Sequence, residues 1–407
     1  MTLTSAASFL TARRLRAHGT ILALCLWSVY FWNIAAPGML DRAGNLKGTD
    51  FLHFYTLGSL ALAHRGADLY NLRAQAELAA QRVPAAAGIR YLPLNPPQVS
   101  LFFAPLARLS YSWALILWLA FSILLYGFCC YAVWRACPNL RHHKLAVLVL
   151  ALAFPAFWHL VAWGQTSALA LACFTLGFFS LRAKREFLAG LAFGCLIFKP
   201  QLGLAVAIVF LITVRWKIIA GAILSALAQL SVAWLYYGPA PLREWMQVLL
   251  DIPHLLPLLE PKPYQTHCLR TFWTMLVPWP SASLALYVIS AILVAGLTVA
   301  CWRSRMPLSL RYSALLLSTV LLAPHLTVYD LVILAPAFLL LSDWVVTQPD
   351  DVTPQIKLLL YLAFALPLLG PLARWTHLQL SVPVMAALLF EIGKRTSFSG
   401  CEKTQTS

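Results

Sequence analysis

The sequence predicts an all-helical integral membrane protein: a polytopic bundle of about twelve transmembrane helices, several short or broken, with interfacial helices in its extracytoplasmic loops. Three observations carry this. Of the 407 residues, 61% are hydrophobic. Only 11% are charged, against about 25% in an average soluble protein. Apolar runs long enough to cross a hydrocarbon core about 30 Å thick recur along the chain, with short Lys and Arg clusters between them. A soluble core cannot absorb that much apolar surface. The figures exclude a cytosolic enzyme, a disordered regulator and a secreted disulfide scaffold. No polar stretch is long enough for a large soluble domain, so residues 1–407 read as one transmembrane domain.

The net charge is +16, from 30 Lys and Arg against 14 Asp and Glu. In a soluble chain that excess suggests a nucleic-acid partner. Here the basic residues mark cytoplasmic loops, so no nucleic acid is expected and the partner is the lipid bilayer. Nine cysteines are scattered, mostly in apolar runs where a thiol is a small hydrophobe. Cys268 stands alone in an extracytoplasmic loop, and no structural disulfide is expected.

The elements follow in order. Arg13, Arg14 and Arg16 precede the run Gly19–Ala36, which reads as an uncleaved first span with its N-terminus inside. Ser112–Trp134 is the next span, followed by Arg135, Arg141 and Lys144. Leu145–Trp163 and Thr166–Leu181 are separated only by Gly164 and Gln165, and Arg182, Lys184 and Arg185 follow. Phe187–Val214 is about 42 Å long as one helix, too long for one crossing. A hairpin with Lys199-Pro200 at its apex is the alternative. Ile218–Tyr237 and Ser283–Trp302 are single spans. Tyr312–Val346 is longer again and breaks at Pro324-His325. Leu358–Leu372 and Leu378–Ile392 complete the set. With both long runs folded as hairpins, every compact Lys/Arg cluster falls on one side. The expected topology therefore has about twelve spans in the plasma membrane and both termini cytoplasmic.

This leaves two long extracytoplasmic loops, about 37–111 and 238–282. Phe51–His64 reads as a helix with a wide apolar face lying in the membrane interface. Tyr91-Leu-Pro-Leu-Asn-Pro-Pro cannot be regular helix, because each proline removes a donor and restricts the residue before it. Val99–Leu109 is apolar but too short to span, and a re-entrant segment is expected there.

The unusual polar residues fall in these loops and at the turns. Asp50 opens an apolar helix. It reads either as an N-cap or as a carboxylate at the membrane face able to act as a general base. Lys199 lies 13 residues past Glu186, about 20 Å along a helix. A buried ammonium there either snorkels outward or neutralises an anionic lipid headgroup. His325 sits at the second apex, with Asp330 as its expected partner. Gln165 lies in a third short turn. Asp50, Gln165, Lys199 and His325 are far apart in sequence yet fall near one membrane surface.

One carboxylate and dispersed cations beside lipid suit a particular chemistry. Glycoside hydrolysis needs a second carboxylate to protonate a poor leaving group. A sugar on a lipid phosphate already has a good one. A single base then activates the acceptor hydroxyl, and Lys and His stabilise the departing phosphate. No Walker A, GxSxG, HExxH or dinucleotide-binding motif occurs. No cofactor is expected, and no carboxylate-rich metal cage can be assembled.

These residues resemble the family-87 glycosyltransferases of the GT-C class, the polyprenyl-phosphate-mannose-dependent α-mannosyltransferases. The resemblance is carried by Asp50-Phe51, Phe54-Tyr55, Gly58, Gly66 and Leu69-Tyr70-Asn71 in the first loop. Asn95-Pro96-Pro97, Trp163-Gly164-Gln165, Phe198-Lys199-Pro200-Gln201, Pro324-His325 and Tyr329-Asp330 continue it in order. The family implies a fold of many transmembrane helices with interfacial helices between them. It implies a polyprenyl-phosphate-linked sugar donor and a glycolipid or other glycan acceptor. It makes Asp50 the catalytic residue and implies substrate contacts from Tyr55, Asn95, Gln165, Lys199, Gln201, His325 and Asp330. One departure is visible: the family often has Tyr before Pro-Pro, where this chain has Asn95. Two other classes stand beside this one. A lipid or small-anion transporter or flippase places polar residues near the midplane on repeat-related broken helices. A non-catalytic subunit of an envelope-assembly complex tolerates loss of Asp50.

Overall fold

The computed structural model describes residues 10–260, 262–348 and 354–396, and Cys401 lies outside them. Helices dominate, and the described residues hold no strand beyond two isolated bridges, Leu40 with Leu46 and Thr266 with Thr327. The chain opens with α1 (Ala12–Ile34), where the Thr11 hydroxyl caps the first turn by accepting from Arg14 N–H at 3.3 Å. Then come α2 (Phe51–Leu62), α3 (Leu72–Arg82) and α4 (Gln98–Ala107). Asn71 caps α3 through two bonds of 3.1 Å from the Arg73 and Ala74 amides. The long α5 (Tyr111–Arg135) leads to α6 (Lys144–Leu152), α7 (Pro155–Trp163) and α8 (Ser167–Arg182).

Next are α9 (Glu186–Gly194) and α10 (Leu204–Ile212), joined by two 3₁₀ turns on either side of Lys199. The remainder is α11 (Trp216–Tyr237), α12 (Ala240–Leu259), α13 (Leu269–Leu276), α14 (Pro280–Arg303), α15 (Leu308–Leu322), α16 (Ala335–Val346), α17 (Pro354–Ala365), α18 (Ala373–Thr376) and α19 (Ser381–Gly393).

Among the described residues, six helical stretches are long and apolar enough to cross a membrane. They become seven if Pro138–Leu152 and Pro155–Trp163, bent by 45°, form one crossing. The twelve expected spans are therefore not reached by length. The reason is physical: α8 and α15 have 16 and 15 residues, about 23 Å at 1.5 Å per residue, short of a 30 Å core.

Both long runs do fold back. Glu186 and Arg215, at the two ends of the first, form an ion pair at 2.7 Å. Lys199 is thus the tip of a hairpin. α15 and α16 pack on one another across the break at Ala323–Thr327. α15 is the centre of the bundle, buried from Tyr312 to Leu322. α9 lies close against α11 because Gly190 and Gly221 face each other's backbone, where a Cβ on either would collide with a carbonyl. Small residues at a crossing let helix backbones approach in this way.

The first loop departs from expectation. α2 does not present an open apolar face: it is buried along Phe51–Ala61. α4 covers it so closely that a side chain on Gly58 would strike the Phe103 backbone. Phe51, Phe54, Phe103 and Trp118 form an aromatic core between α2, α4 and α5. The apolar residues of α4 that read as a re-entrant segment are the cover of this core.

Candidate active site

The helix ends, turns and hairpin tips meet around a cavity of about 870 Å³. Its placement begins with Gly164. This residue ends α7 at φ 71, a left-handed conformation that an L side chain rarely adopts. A Cβ there would also press on Phe51. The turn is held by Trp118, whose indole N–H donates to the Gly164 carbonyl at 2.9 Å. The Asp50 amide donates to the Trp163 carbonyl at 3.0 Å. Two remote segments are thereby locked together with Asp50 beside Gln165.

Asp50 stands at the start of α2, but its side chain caps nothing. The carboxylate turns to the cavity instead, and its Oδ2 accepts from Gln165 Nε2 at 2.7 Å. Oδ1 makes no hydrogen bond among the described residues. Burial pushes the carboxyl up to about 6, against the lowering effects of the Gln165 bond and the Lys199 charge. Gln165 can present only its NH₂ to Asp50. Its Oε1 already accepts from the Thr166 amide at 3.1 Å and faces Lys199 Nζ at 3.5 Å.

Lys199 does not snorkel. The residue is 8% exposed, and its ammonium pairs with Asp330 Oδ1 at 2.7 Å, with the Ser167 hydroxyl 3.0 Å away. Ser167 donates to the same Asp330 oxygen at 2.5 Å. Lys199 also lies 5.1 Å over the Tyr329 ring, which packs edge-on to Trp163. Asp330 is therefore the counter-ion of Lys199 and not the partner of His325.

His325 finds a different carboxylate. Its Nδ1–H donates to Glu260 Oε1 at 2.8 Å. Arg270 and Thr271 hold the same Glu260 carboxylate, and Arg270 also bonds the Pro324 carbonyl. Burial pushes the Glu260 carboxyl up, but His325 and Arg270 together outweigh it and keep the group below its ordinary range. The loop carrying Glu260 is pinned to the second hairpin tip by the Thr266–Thr327 bridge and by the His267 amide, which donates to Leu326 O at 2.9 Å.

The structure thus brings Asp50, Asn95, Gln165, Lys199, Gln201, His325 and Asp330 to one cavity wall. Tyr55 is elsewhere. It is buried in the first loop, where its hydroxyl donates to Leu109 O and accepts from Arg82, both at 2.8 Å. Residues missed in the sequence join the wall. Glu260 follows the apolar stretch Leu255–Leu259, so it is the same kind of signal as Asp50: one acid at the edge of an apolar helix. His53 lines the cavity one turn beyond Asp50, 6% exposed, and neither ring nitrogen has a hydrogen-bond partner among the described residues. Ser167, which bonds Lys199 and Asp330 without lining the cavity itself, carried no signal of its own.

No cluster of three or more His, Cys, Asp or Glu able to hold a metal occurs among the described residues. The arrangement offers a carboxylate with one open oxygen, an imidazole backed by a second carboxylate, and a buried ion pair. It can take a proton at one group and stabilise an anion at another.

No curated protein and no solved structure matches the chain. A family model does, over residues 94–324. The match takes in Asn95, Gln165, Lys199, Gln201 and Glu260, ends beside His325, and leaves Asp50 ahead of it. It covers more than half of the 407 residues, and on that ground the chain belongs to glycosyltransferase family 87.

Proposed function

We propose that the protein is an inverting glycosyltransferase that moves a hexose, mannose by family resemblance, from a polyprenyl-phosphate carrier to an acceptor hydroxyl. The observation that carries this is Asp50: a carboxylate with one oxygen held and the other open, in a cavity roomy enough for a sugar. Asp50 takes the acceptor proton. The acceptor oxygen attacks the anomeric carbon from the face opposite the phosphate. The carbon–phosphate-oxygen bond breaks, and its electron pair leaves on the phosphate. A base at this position typically supplies about 10²- to 10⁴-fold.

His325 is the group with an open nitrogen for the phosphate. Lys199, already paired with Asp330, contributes a partly compensated charge. Asn95 and Gln201 line the same wall and are the polar contacts for sugar hydroxyls. The acceptor is a glycolipid or another glycan.

The cavity faces the extracytoplasmic side in this reading, with both termini cytoplasmic. Support comes from chain direction. α1, α8, α9 and α15 each bring one end to the cavity, and each carries its basic residues at or beyond the other: Arg13 to Arg16, Arg182 to Arg185 and Arg303 to Arg311. Counting the five short apolar helices of the bundle as crossings of a thinned or partly aqueous region restores the total of twelve.

The test is transfer of labelled mannose from polyprenyl-phosphate mannose to membrane glycolipids by purified protein, wild type against Asp50→Asn. Wild type transfers, and the variant binds donor but transfers little. Robust transfer by folded Asp50→Asn sinks the assignment of the base.

A further inference from the structure

Glu260 enters the cavity wall at the end of α12 as a carboxylate gripped from three sides. His325 Nδ1–H reaches Oε1 at 2.8 Å, and the Thr271 hydroxyl lies 3.1 and 3.0 Å from the two oxygens. Arg270 bonds Oε1 through one arm and the Pro324 carbonyl through Nε. A latch between this loop and the hairpin tip needs only Arg270. The imidazole is an addition, and it has consequences of its own.

A carboxylate of this kind only accepts hydrogen bonds, so the proton on His325 sits at Nδ1. The ring is fixed in tautomer and orientation from behind, as a carboxylate does for a catalytic imidazole in general. Arg270 fixes the backbone just before the ring, so both ends of the residue are held. Nε2 makes no hydrogen bond among the described residues, and the ring lines the cavity that Asp50 also lines. In a displacement at an anomeric carbon, the incoming hydroxyl and the leaving phosphate occupy opposite faces. Asp50 and His325 come from different segments and serve these two positions.

We propose that Glu260 is the positioning residue for His325, aiming Nε2 at the oxygen of the departing phosphate and balancing the charge of the ring there. The inference rests on the transfer reading above. As the anomeric bond breaks, the phosphate goes from one negative charge to two. The ring lies between two anions throughout: Nε2 takes a proton from solvent when the donor binds, and the ring donates one hydrogen bond to each anion. No proton is lost from it, since the acceptor proton goes to Asp50. The interaction strengthens only as charge develops, so it acts on the chemical step more than on donor binding.

The experiment is steady-state kinetics with polyprenyl-phosphate mannose for wild type, Glu260→Gln, His325→Gln and the double variant. Glu260→Gln lowers kcat about 10- to 100-fold with donor KM within a few-fold. His325→Gln loses at least as much, and the double variant is no worse than His325→Gln alone. Losses that multiply in the double variant overturn the inference, as does an unchanged kcat in Glu260→Gln. Thr271→Val loosens the grip on Glu260 without touching the ring. Positioning predicts a small effect there, and a loss equal to that of Glu260→Gln means a simple latch. If Glu260→Gln does not fold, Glu260→Asp replaces it. That variant keeps a charge for Arg270 and draws the carboxylate back from the ring, so the same kcat loss is expected and an unchanged kcat overturns the proposal. Absence of transfer by wild type sinks the transfer reading and this inference together. Wild-type transfer with multiplicative losses sinks this inference alone.

Discussion

Gln165 Nε2 donates to Asp50 Oδ2 at 2.7 Å across 115 residues of sequence. That bond couples the state of the base to the rest of the wall. Gln165 cannot flip, because its carbonyl oxygen is committed to the Thr166 amide and faces Lys199. It is therefore a donor to Asp50 and stabilises the ionised carboxylate.

Transfer should lose rate in mildly acidic solution. Asp50 must be deprotonated to accept a proton, and burial has raised its carboxyl to about 6. The rate is then full well above pH 6 and falls as pH drops through it, by about tenfold for each further unit. Gln165→Leu removes a bond that lowers this value, so the acid limb moves to higher pH. A pH–kcat profile of the two proteins checks both statements. An acid limb unmoved in Gln165→Leu contradicts the coupling.

The Lys199–Asp330 pair predicts a particular pattern of stabilities. Both groups are buried and satisfy each other at 2.7 Å. Removing one partner strands the other charge, at a cost of about 3–5 kcal/mol, whereas removing both is far milder. Lys199→Met and Asp330→Leu are each strongly destabilised, and the double variant recovers most of the loss in thermal unfolding in detergent. Donor KM in the double variant then reports on the phosphate without interference from misfolding. A large rise in KM shows that Lys199 touches the phosphate. An unchanged KM leaves it as support for Gln165.

Tyr55 gives a contrasting case. Its hydroxyl joins Arg82 to the Leu109 carbonyl inside the first loop, away from the cavity. Tyr55→Phe leaves buried partners unmade and should cost about 1–3 kcal/mol of stability. Donor and acceptor KM should stay at wild-type values in a kinetic assay. A selective rise in either KM restores the substrate contact that family resemblance implies.

These cases show what the sequence carried and where it stopped. Asp50, Gln165, Lys199 and His325 were legible as a group because helix length and charge clusters set them at one depth. The first hairpin was legible because Phe187–Val214 is too long for one crossing and breaks at Lys199-Pro200. Pairings were not legible. Asp330 lies five residues from His325, yet a 3₁₀ turn over Val328–Leu334 sends it to Lys199 and Ser167. The partner of His325 comes from 65 residues away. Nor could a hydrophobic pattern say what covers α2. An apolar helix reads alike whether lipid or α4 packs on it. Span number is not legible for a related reason: short apolar helices inside a bundle look like fragments of crossings.

His53 supplies the last prediction. It is 6% exposed, and neither ring nitrogen has a hydrogen-bond partner among the described residues. Burial lowers it to about 4, so the ring is neutral at pH 7. Its neighbours are rings: Tyr91 at 5.2 Å and Phe54 at 5.6 Å between centroids. A buried polar group left unpaired costs about 1–3 kcal/mol. Phenylalanine is close in shape, packs on the same rings and removes both unpaired nitrogens. His53→Phe should therefore raise the unfolding temperature, opposite in sign to most substitutions in a packed segment. Transfer measured beside unfolding decides why the imidazole is there. A more stable variant with lower kcat/KM for either substrate means the ring meets substrate in the cavity. A more stable variant with full activity makes it a packing residue. A less stable variant shows that the ring nitrogens are satisfied in the folded protein, and contradicts the premise.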